Sequence, residues 1–476
     1  MSKSVSLLWF RQDLRLQDNP ALRAAAQDGS ILPVYILDDS NPGDWGMGAA
    51  SRWWLHHSLI SLDTQLGNKL TVLAGDPLKI IPDLMAEHDI QTVYWNRCYE
   101  PWRIHRDSKL KTQLENNGKQ VHSSNGSLLW EPWTRLKQDG EPYKVFTPFY
   151  KNAIAKGVEL DSILGEEPKL DLIKSQQPKS RIDDLNLMPD IAWYEGFDDV
   201  FTPGEAGAWE KMEKFIEAGI YNYKKGRDFP AMENVSRISP HLHFGEIAPH
   251  RVWQLAEAAG QSNGCESQAE HFQRELAWRE FSYSLLYHFP TLTAENMNPR
   301  FDDFPWLEDK DLLGKWQRGM TGYPLVDAGM RELWTTGYMH NRVRMVVGSF
   351  LVKNLMQHWI HGARWFWDCL LDADLPNNTC SWQWVAGCGA DAAPYFRVFN
   401  PITQSQKFEA EAYIRRHVPE LAKLPDKYIH EPYAAPDSEL AAAGIKLGED
   451  YPEPIVDLKA SRERALDAYK SLKEAE

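Results

Sequence analysis

Between Leu371 and Phe408 the chain reads LDADLPNNTCSWQWVAGCGADAAPYFRVFNPITQSQKF, a concentration of groups able to bind and polarise a ligand. Asp372 and Asp374 stand beside Asn377 and Asn378. Trp382 and Trp384 flank Gln383, and Arg397 and Asn400 follow a glycine-interrupted stretch. Leu, Ile and Val are few, so core packing does not account for the segment. Carboxylates, amides and aromatic faces gathered together suit the polar lining of a pocket for a flat heteroaromatic ligand.

The same segment contains Gly387-Cys388-Gly389-Ala390-Asp391-Ala392, which fits G-x-G-x-x-A, with Glu409 at the offset of a ribose-binding acid. A dinucleotide fingerprint opens a helix directly after a buried strand. Here Pro394 follows at once, and SWQWVA is too aromatic and too poor in aliphatics to be that strand. A turn between helices explains the glycines but leaves the Asp/Asn cluster without a purpose.

Two further segments carry chemistry. If HFQRELAWREFSYSLLYHF is helical, Glu275, Trp278, Arg279 and Ser282 share a face, which Leu276, Phe281 and Leu285 need not join. A solvated Glu275-Arg279 ion pair would explain those two residues alone. In GYPLVDAGMRELWTTGYMHNRVRMVVGSFLVKNL, Asn341 and Met345 lie one turn apart, as do His340 and Arg344. Two adjacent stripes could thus face a ligand and a phosphate. Core filling explains Met345, and a solvated face explains Arg342 and Arg344. Neither explains why no Asp or Glu occurs from Tyr338 to Trp367, where Arg342, Arg344, Lys353 and Arg364 do.

The elements that must position these residues fall into two regimes. SVSLLWF, ILPVYIL, LTVLAG, TVYWN and a weaker KQVHSS read as short buried strands. They alternate with helical spacing over Pro20 to Gln27, Ala50 to Leu66, Leu78 to His88 and Trp102 to Asn116. That alternation predicts βαβ units and a parallel sheet covered on both faces. From Glu131 to Thr202 the pattern fails, and a long surface connection is expected. Beyond Thr202 helices follow one another: Gly204 to Ala218, Gly245 to Ala259, Ser267 to Phe289, Pro324 to Thr336 and Met339 to Trp359. The charged end, YPEPIVDLKASRERALDAYKSLKEAE, reads as one last solvated helix.

Composition bounds the function. The 476 residues, 43% hydrophobic, can bury a large core divided among two or three domains. No apolar run approaches a membrane span, and MSKSVSLLWFRQDLR meets Arg and Asp too early for a secretory signal, so a cytoplasmic protein is expected. The five cysteines are scattered without metal-ligand spacing, and neither a disulfide framework nor a metal site is expected. A net charge of -15 argues against indiscriminate nucleic-acid binding but permits a focused basic face.

WFRQDLRLQDNPAL near the start, YKVFTPF at Tyr143, KKGRDFP at Lys224, ELAWREF at Glu275 and TGYPLVDAGMRELWTTGYMHNRVRM at Thr321 resemble the photolyase and cryptochrome family, as does the opening segment. The resemblance runs in order over almost the whole chain. It implies an α/β parallel-sheet N-terminal antenna domain (1-131), an interdomain linker (132-202) and an all-helical C-terminal domain (203-476) that binds FAD.

The resemblance also implies roles residue by residue. Tyr223, Ser236, Arg237, Ile238 and Ser239 would hold the FAD phosphates and ribityl chain, with Phe272 and Arg279 also lining the cofactor. Arg344 and Asp372 would pair beside the isoalloxazine, with Asp374 nearby. Asn378 would face flavin N5, where an amide favours the reduced state. Glu275, Trp278, Asn341, Met345 and Trp384 would contact a flipped-out pyrimidine dimer and Arg342 a flanking phosphate. Trp306, Trp359 and Trp382 align with the family's electron-transfer chain.

The implied activity is that of a deoxyribodipyrimidine photo-lyase acting on UV-damaged DNA as a monomer. The alternatives are a blue-light receptor of the same fold and an oxidoreductase built on the glycine motif. Asn341 and Met345 speak for cyclobutane dimers over six-four products, and WQWVAGCGADAAPYFR resembles the bacterial class III branch. Val235 stands where many members have Thr, which removes one phosphate-facing hydroxyl. Trp102, Arg103, Thr293 and Ala294 replace the positions with which one branch binds a folate antenna. Folate bound in that way is not expected, which leaves a second chromophore at another site, or none.

Overall fold

A computed structural model describes residues 4–165, 167–175 and 181–474. Five strands, β1 (Val5–Phe10), β2 (Ser30–Leu37), β3 (Thr71–Ala74), β4 (Thr92–Asn96) and β5 (Gln120–Ser124), form one parallel sheet in the order β3-β2-β1-β4-β5. Its central strands are near-continuous apolar runs because both faces are covered. Leu7 and Trp9 point to a core shared with α3 (Pro77–Glu87) and α4 (Pro101–Asn116). Leu8 and Phe10 point to a core shared with α1 (Pro20–Asp28) and α2 (Ala49–Gln65). That second core also contains Phe197, Phe244, Tyr338 and Leu371, so the sheet's second layer is continuous with the helical part. The weak strand signal of KQVHSS matches β5, an edge strand with no fully buried residue.

The connection expected over 132-202 is more structured than its composition suggests. Phe146–Lys156 is a helix, and Asp171 to Ile173 runs along β2, with Ile31 N donating to Asp171 O at 2.8 Å and Ile173 N to Ile31 O at 2.9 Å. Residues 166 and 176–180 of this stretch lie outside the described residues.

From Glu205 onward the elements are helical. Two of the expected helices differ in a way that matters. Gly204 to Ala218 is an α-helix over Glu205–Lys214 that widens into a π turn at Phe215–Gly219. Met339 to Trp359 is not one helix: Asn341–Ser349 passes into a π segment at Phe350–Asn354 and stops at Met356, whose φ is 53°. His358 then caps a new helix, Trp359–Cys369, its Nδ1 accepting from Ile360 N at 3.1 Å. The expected Gly245 to Ala259 helix begins instead at Pro249 and runs to Asn263, because Pro at the first helical position sets the start.

The last helix, Leu458–Glu474, is not solvated all round. Ser461 and Ala465 are buried, Asn354 Nδ2 donates to Ser461 Oγ at 2.9 Å, and Tyr469 stacks on Tyr395 with ring centroids 4.7 Å apart. Its charges from Lys459 to Lys470 are exposed, and Arg464 also donates through Nη2 to Asn354 O at 2.8 Å. No helix among the described residues is long and apolar enough to cross a membrane.

Candidate active site

A cavity of about 550 Å³ opens in the helical part, large enough for a cofactor with a substrate portion beside it. Three helices and one irregular segment wall it. The first helix, Glu266–His288, presents Glu275, Trp278, Arg279 and Ser282 as their spacing predicts, and Phe272 beside them. Leu276, Phe281 and Leu285 line it too, because the cavity spans more than one stripe of the helix.

On this wall the Glu275-Arg279 pair does not form. Arg279 Nη1 donates to Glu280 Oε1 at 2.7 Å and Nη2 to Ser127 O at 2.9 Å. Glu280 is buried, and burial pushes its carboxyl up to about 7 against the pull of Arg279. Glu275 is bonded instead by Arg227, whose guanidinium also lies 3.2 Å from His271 Nε2. Trp278 is half-buried and stacks on Phe146 at 3.8 Å, nearly parallel.

The second wall is Asn341–Ser349, which sends Asn341, Arg344 and Met345 to the cavity. His340 does not join them. It is buried, and its Nδ1 accepts from Arg342 N at 3.2 Å as the cap of this helix. Arg342 also lies outside the lining, turned to Asp228. Arg344 reaches Asp372 at 3.0 and 3.1 Å and donates through Nε to Met339 O at 2.7 Å.

The third wall is Leu375–Ala386 with the turn before it. Asp374 caps this helix, accepting from Asn377 N at 3.1 Å, while Pro376 sits in its first turn. The Asp374 carboxylate also meets Tyr283 Oη at 2.5 Å and His243 Nδ1 at 3.3 Å. Burial alone would push this carboxyl up. The hydrogen bond and charge of His243, the Arg279 charge and the Tyr283 hydroxyl outweigh it and hold it below the usual range. Asn378 is anchored through Nδ2 to Ala363 O at 2.9 Å, and Trp382 and Trp384 also line the space. The helix ends at Gly387 in the left-handed region, φ 89°. The G-x-G-x-x-A match therefore closes a helix rather than opening one after a strand, and the oxidoreductase reading built on it falls.

The fourth side is the segment through Ser236, Arg237, Ile238 and Ser239, with Tyr223 packed edge-on against Phe272 at 5.4 Å. Ser239 Oγ donates to Asp372 Oδ2 at 2.6 Å, so this segment is tied to the Arg344-Asp372 pair. Arg237 holds a φ of 52°, a strained value for a residue with a side chain, and its guanidinium lies 5.1 Å from the Tyr338 ring. Arg227, His243 and Tyr338 are cavity residues that sequence reasoning left unassigned. Arg227 stood within KKGRDFP, so that motif marked the place but not the partner.

The three tryptophans expected to relay electrons neighbour one another through Gly362 and His358. Trp382 is buried on the cavity, and its indole covers Gly362, where an added Cβ would lie 2.1 Å from the ring. Gly362 is one turn from Trp359, which is fully buried and donates Nε1 to Asn296 Oδ1 at 2.9 Å. The His358 ring then lies 5.5 Å from Trp359 and 5.2 Å from the half-buried Trp306.

The donor set suits FAD. Cations (Arg237, Arg279, Arg344), carboxylates (Asp372, Asp374), hydroxyls and indoles face one space, as a ligand with a pyrophosphate, a polyol and a flat ring system requires. A second, much smaller cavity of about 50 Å³ lies at the C-terminal ends of β1 and β2, among Trp9, Arg11, Glu100, Trp102, Arg103 and Arg106. Its arginines stack on its indoles, Arg103 4.5 Å and Arg106 5.0 Å from Trp102. Among the described residues no cluster of His, Cys, Asp and Glu could hold a metal ion.

Comparison with known proteins agrees with this geometry. Residues 6–165 match the family model described as DNA photolyase, and residues 272–471 match the FAD binding domain of DNA photolyase. Over 474 residues the chain is 46% identical to the deoxyribodipyrimidine photo-lyase of Agrobacterium fabrum, covering 98% of each. It is 37% identical to cryptochrome-2 of Arabidopsis thaliana, over 99% of this chain and 79% of that protein. The crystal structure of a bacterial class III photolyase from Agrobacterium tumefaciens superposes with a TM-score of 0.94 at 45% identity, covering 100% of this chain and 98% of that one.

Proposed function

The chain belongs to the DNA photolyase and cryptochrome family, with the FAD-binding domain of that family, and on this premise we propose that it repairs cyclobutane pyrimidine dimers in UV-damaged DNA under light. The observation that carries the reading is the meeting of Glu275, Trp278, Asn341, Met345 and Trp384, from three separate helices, on the cavity that also holds the Arg344-Asp372 pair. When bound and reduced, FAD supplies one light-excited electron, which splits the cyclobutane ring and is taken back afterwards.

The chain's own residues then have distinct tasks. Arg344 and Asp372 would hold the isoalloxazine edge, and Tyr223, Ser236, Arg237 and Ser239, the last tied to Asp372, the phosphate and ribityl side. Asp374 fixes the start of the third wall, which sets Asn378 toward the flavin. A dimer within the duplex must leave the stack to enter the cavity, and damaged pairs are the least costly to extrude. Trp278 and Trp384 cover its apolar faces and Met345 fills beside them, while Glu275 and Asn341 bond its polar edges. For Glu275 this means sharing its carboxylate between Arg227 and the base.

Trp382, Trp359 and Trp306 would pass electrons inward from an external reductant at the surface to restore the reduced cofactor. The reading treats 1-131 as the antenna domain, 132-202 as the linker and 203-476 as the catalytic domain of a cytoplasmic monomer. No antenna chromophore is assigned to the small cavity at the sheet, where indoles and guanidiniums stack on one another.

The test is illumination of the purified, chemically reduced protein with an oligonucleotide carrying one cyclobutane dimer. Recovery of pyrimidine absorbance with turnover supports repair. Flavin photochemistry without loss of the dimer would sink it and leave the blue-light receptor reading.

A further inference from the structure

Two consecutive residues of opposite charge, Arg227 and Asp228, reach opposite walls of the site. Arg227 bonds Glu275 on the Glu266–His288 helix, whereas Asp228 Oδ1 accepts from Arg342 Nη2 at 2.5 Å on the Asn341–Ser349 helix. The link to Arg342 is a built arrangement. The Arg342 guanidinium lies 4.6 Å from the Phe408 ring centre, and Phe229, next to Asp228, meets the same ring edge-on at 5.9 Å. Arg342 Nη1 lies 3.7 Å from Met345 Sδ, one of the dimer-facing side chains, and Nε is buried with no hydrogen-bond partner. One carboxylate therefore neutralises Arg342 and fixes its plane while leaving several of its five donors uncommitted.

We infer that Asp228 is a specificity-determining positioning residue, which quenches Arg342 toward ordinary DNA and presents its free donors only to the phosphate beside an extruded dimer. This rests on the repair reading. On an undamaged duplex a phosphate at Arg342 meets a neutral ion pair and releases no net counterion there. When a dimer seats against Met345, the backbone is drawn to the open edge of the same guanidinium, and phosphate and carboxylate share it. Discrimination is thereby gained by withholding affinity from the wrong ligand.

The experiment measures binding of undamaged and dimer-containing duplexes against salt concentration, with bound FAD per protein as the check on folding. Asp228→Asn is expected to tighten undamaged binding about fivefold, the size of one solvent-screened charge interaction. The magnitude of its log-log salt slope should rise by about 0.9, one more phosphate contact. Damaged binding changes less, so the damaged-to-undamaged ratio falls. Asp228→Asn combined with Arg342→Ala removes the pair as a neutral unit; undamaged binding then returns to the wild-type slope while damaged binding weakens. If Asp228→Asn does not retain flavin, this double variant carries the test alone. An unchanged slope in Asp228→Asn, or a steepened slope that persists without Arg342, would overturn the inference, because Asp228 would then be inert or only a general surface charge. Failure of the repair reading is distinct: the wild-type protein itself would not prefer dimer-containing DNA.

Discussion

Asp372 accepts hydrogen bonds from Ser239 and Arg344, and so joins two walls of the cavity through one carboxylate. Asp372→Ala leaves Arg344 without its anion, a loss of about 3–5 kcal/mol where such a pair is buried and less here because Arg344 keeps some exposure. The expected outcome is protein that folds but retains much less FAD, read as flavin released per protein after denaturation; full retention would remove the pair from the cofactor site. Trp382 poses a different question, because it packs against Gly362 and is also proposed to conduct. Trp382→Phe keeps an aromatic ring on the cavity but removes the readily oxidised indole. Photoreduction of oxidised FAD should stop while chemically reduced enzyme still repairs. A normal photoreduction rate would take Trp382 out of the relay, and lost repair after chemical reduction would make it a packing residue.

Helix interruptions place the tryptophans of the proposed relay and the loop after Gly387 beside the site. Because the expected Met339 to Trp359 helix stops at Met356, Trp359 starts a separate helix that can turn Gly362 under Trp382. The π segment just before that break buries Lys353, whose Nζ donates to Arg397 O at 2.8 Å and so ties this helix to the loop after Gly387. Burial, then the nearby Arg397 charge, pushes the Lys353 amine down to about 7. A lysine depressed in the fold binds fewer protons there than in the unfolded chain between pH 7 and its ordinary value near 10. Its contribution to stability is therefore present above that range and is lost as pH falls through about 7, with a slope of at most about 1.4 kcal/mol per pH unit. Thermal unfolding between pH 7 and 9 should show a rising component in the wild-type protein that Lys353→Met flattens. Equal pH profiles for the two proteins would mean that the amine stays protonated in the fold.

At the scale of the whole molecule, the sheet and the helices are joined by buried polar groups as well as by apolar packing. Arg15 is 1% exposed and donates to Gly245 O at 2.8 Å and Gly126 O at 2.7 Å, as well as to its own loop at Asp18 O. Glu246, fully buried, accepts from Trp54 Nε1 at 2.9 Å across the same boundary and from Gly204 N at 2.8 Å within the helical part. Arg15→Met leaves several buried carbonyls unpaired at about 1–3 kcal/mol each and should lower the unfolding temperature by several degrees. Flavin content at room temperature should change little, since Arg15 is not among the residues lining the cavity. A selective loss of FAD without loss of stability would contradict this division of roles.

Alternating strands and helices, proline at helix starts, and the gathering of Asp, Asn and Trp after Leu371 were legible in the chain itself, because local hydrophobic period and capping chemistry decide them. So was the face shared by Glu275, Trp278, Arg279 and Ser282, which helical spacing alone dictates. Partner choice was not legible. Glu275 turned from Arg279, four residues away, to Arg227, and Arg342 turned from the open cavity to Asp228, because long side chains go to the charge that tertiary packing brings nearest. His340 and the final helix were misjudged for the same reason: a cap and a buried stripe depend on what packs against them. The sequence by itself determined which elements form and which chemical groups they carry. Only the tertiary structure decided which of those groups meet, since contacts between residues far apart in the chain depend on helix ends, π turns and crossing helices that no local pattern encodes.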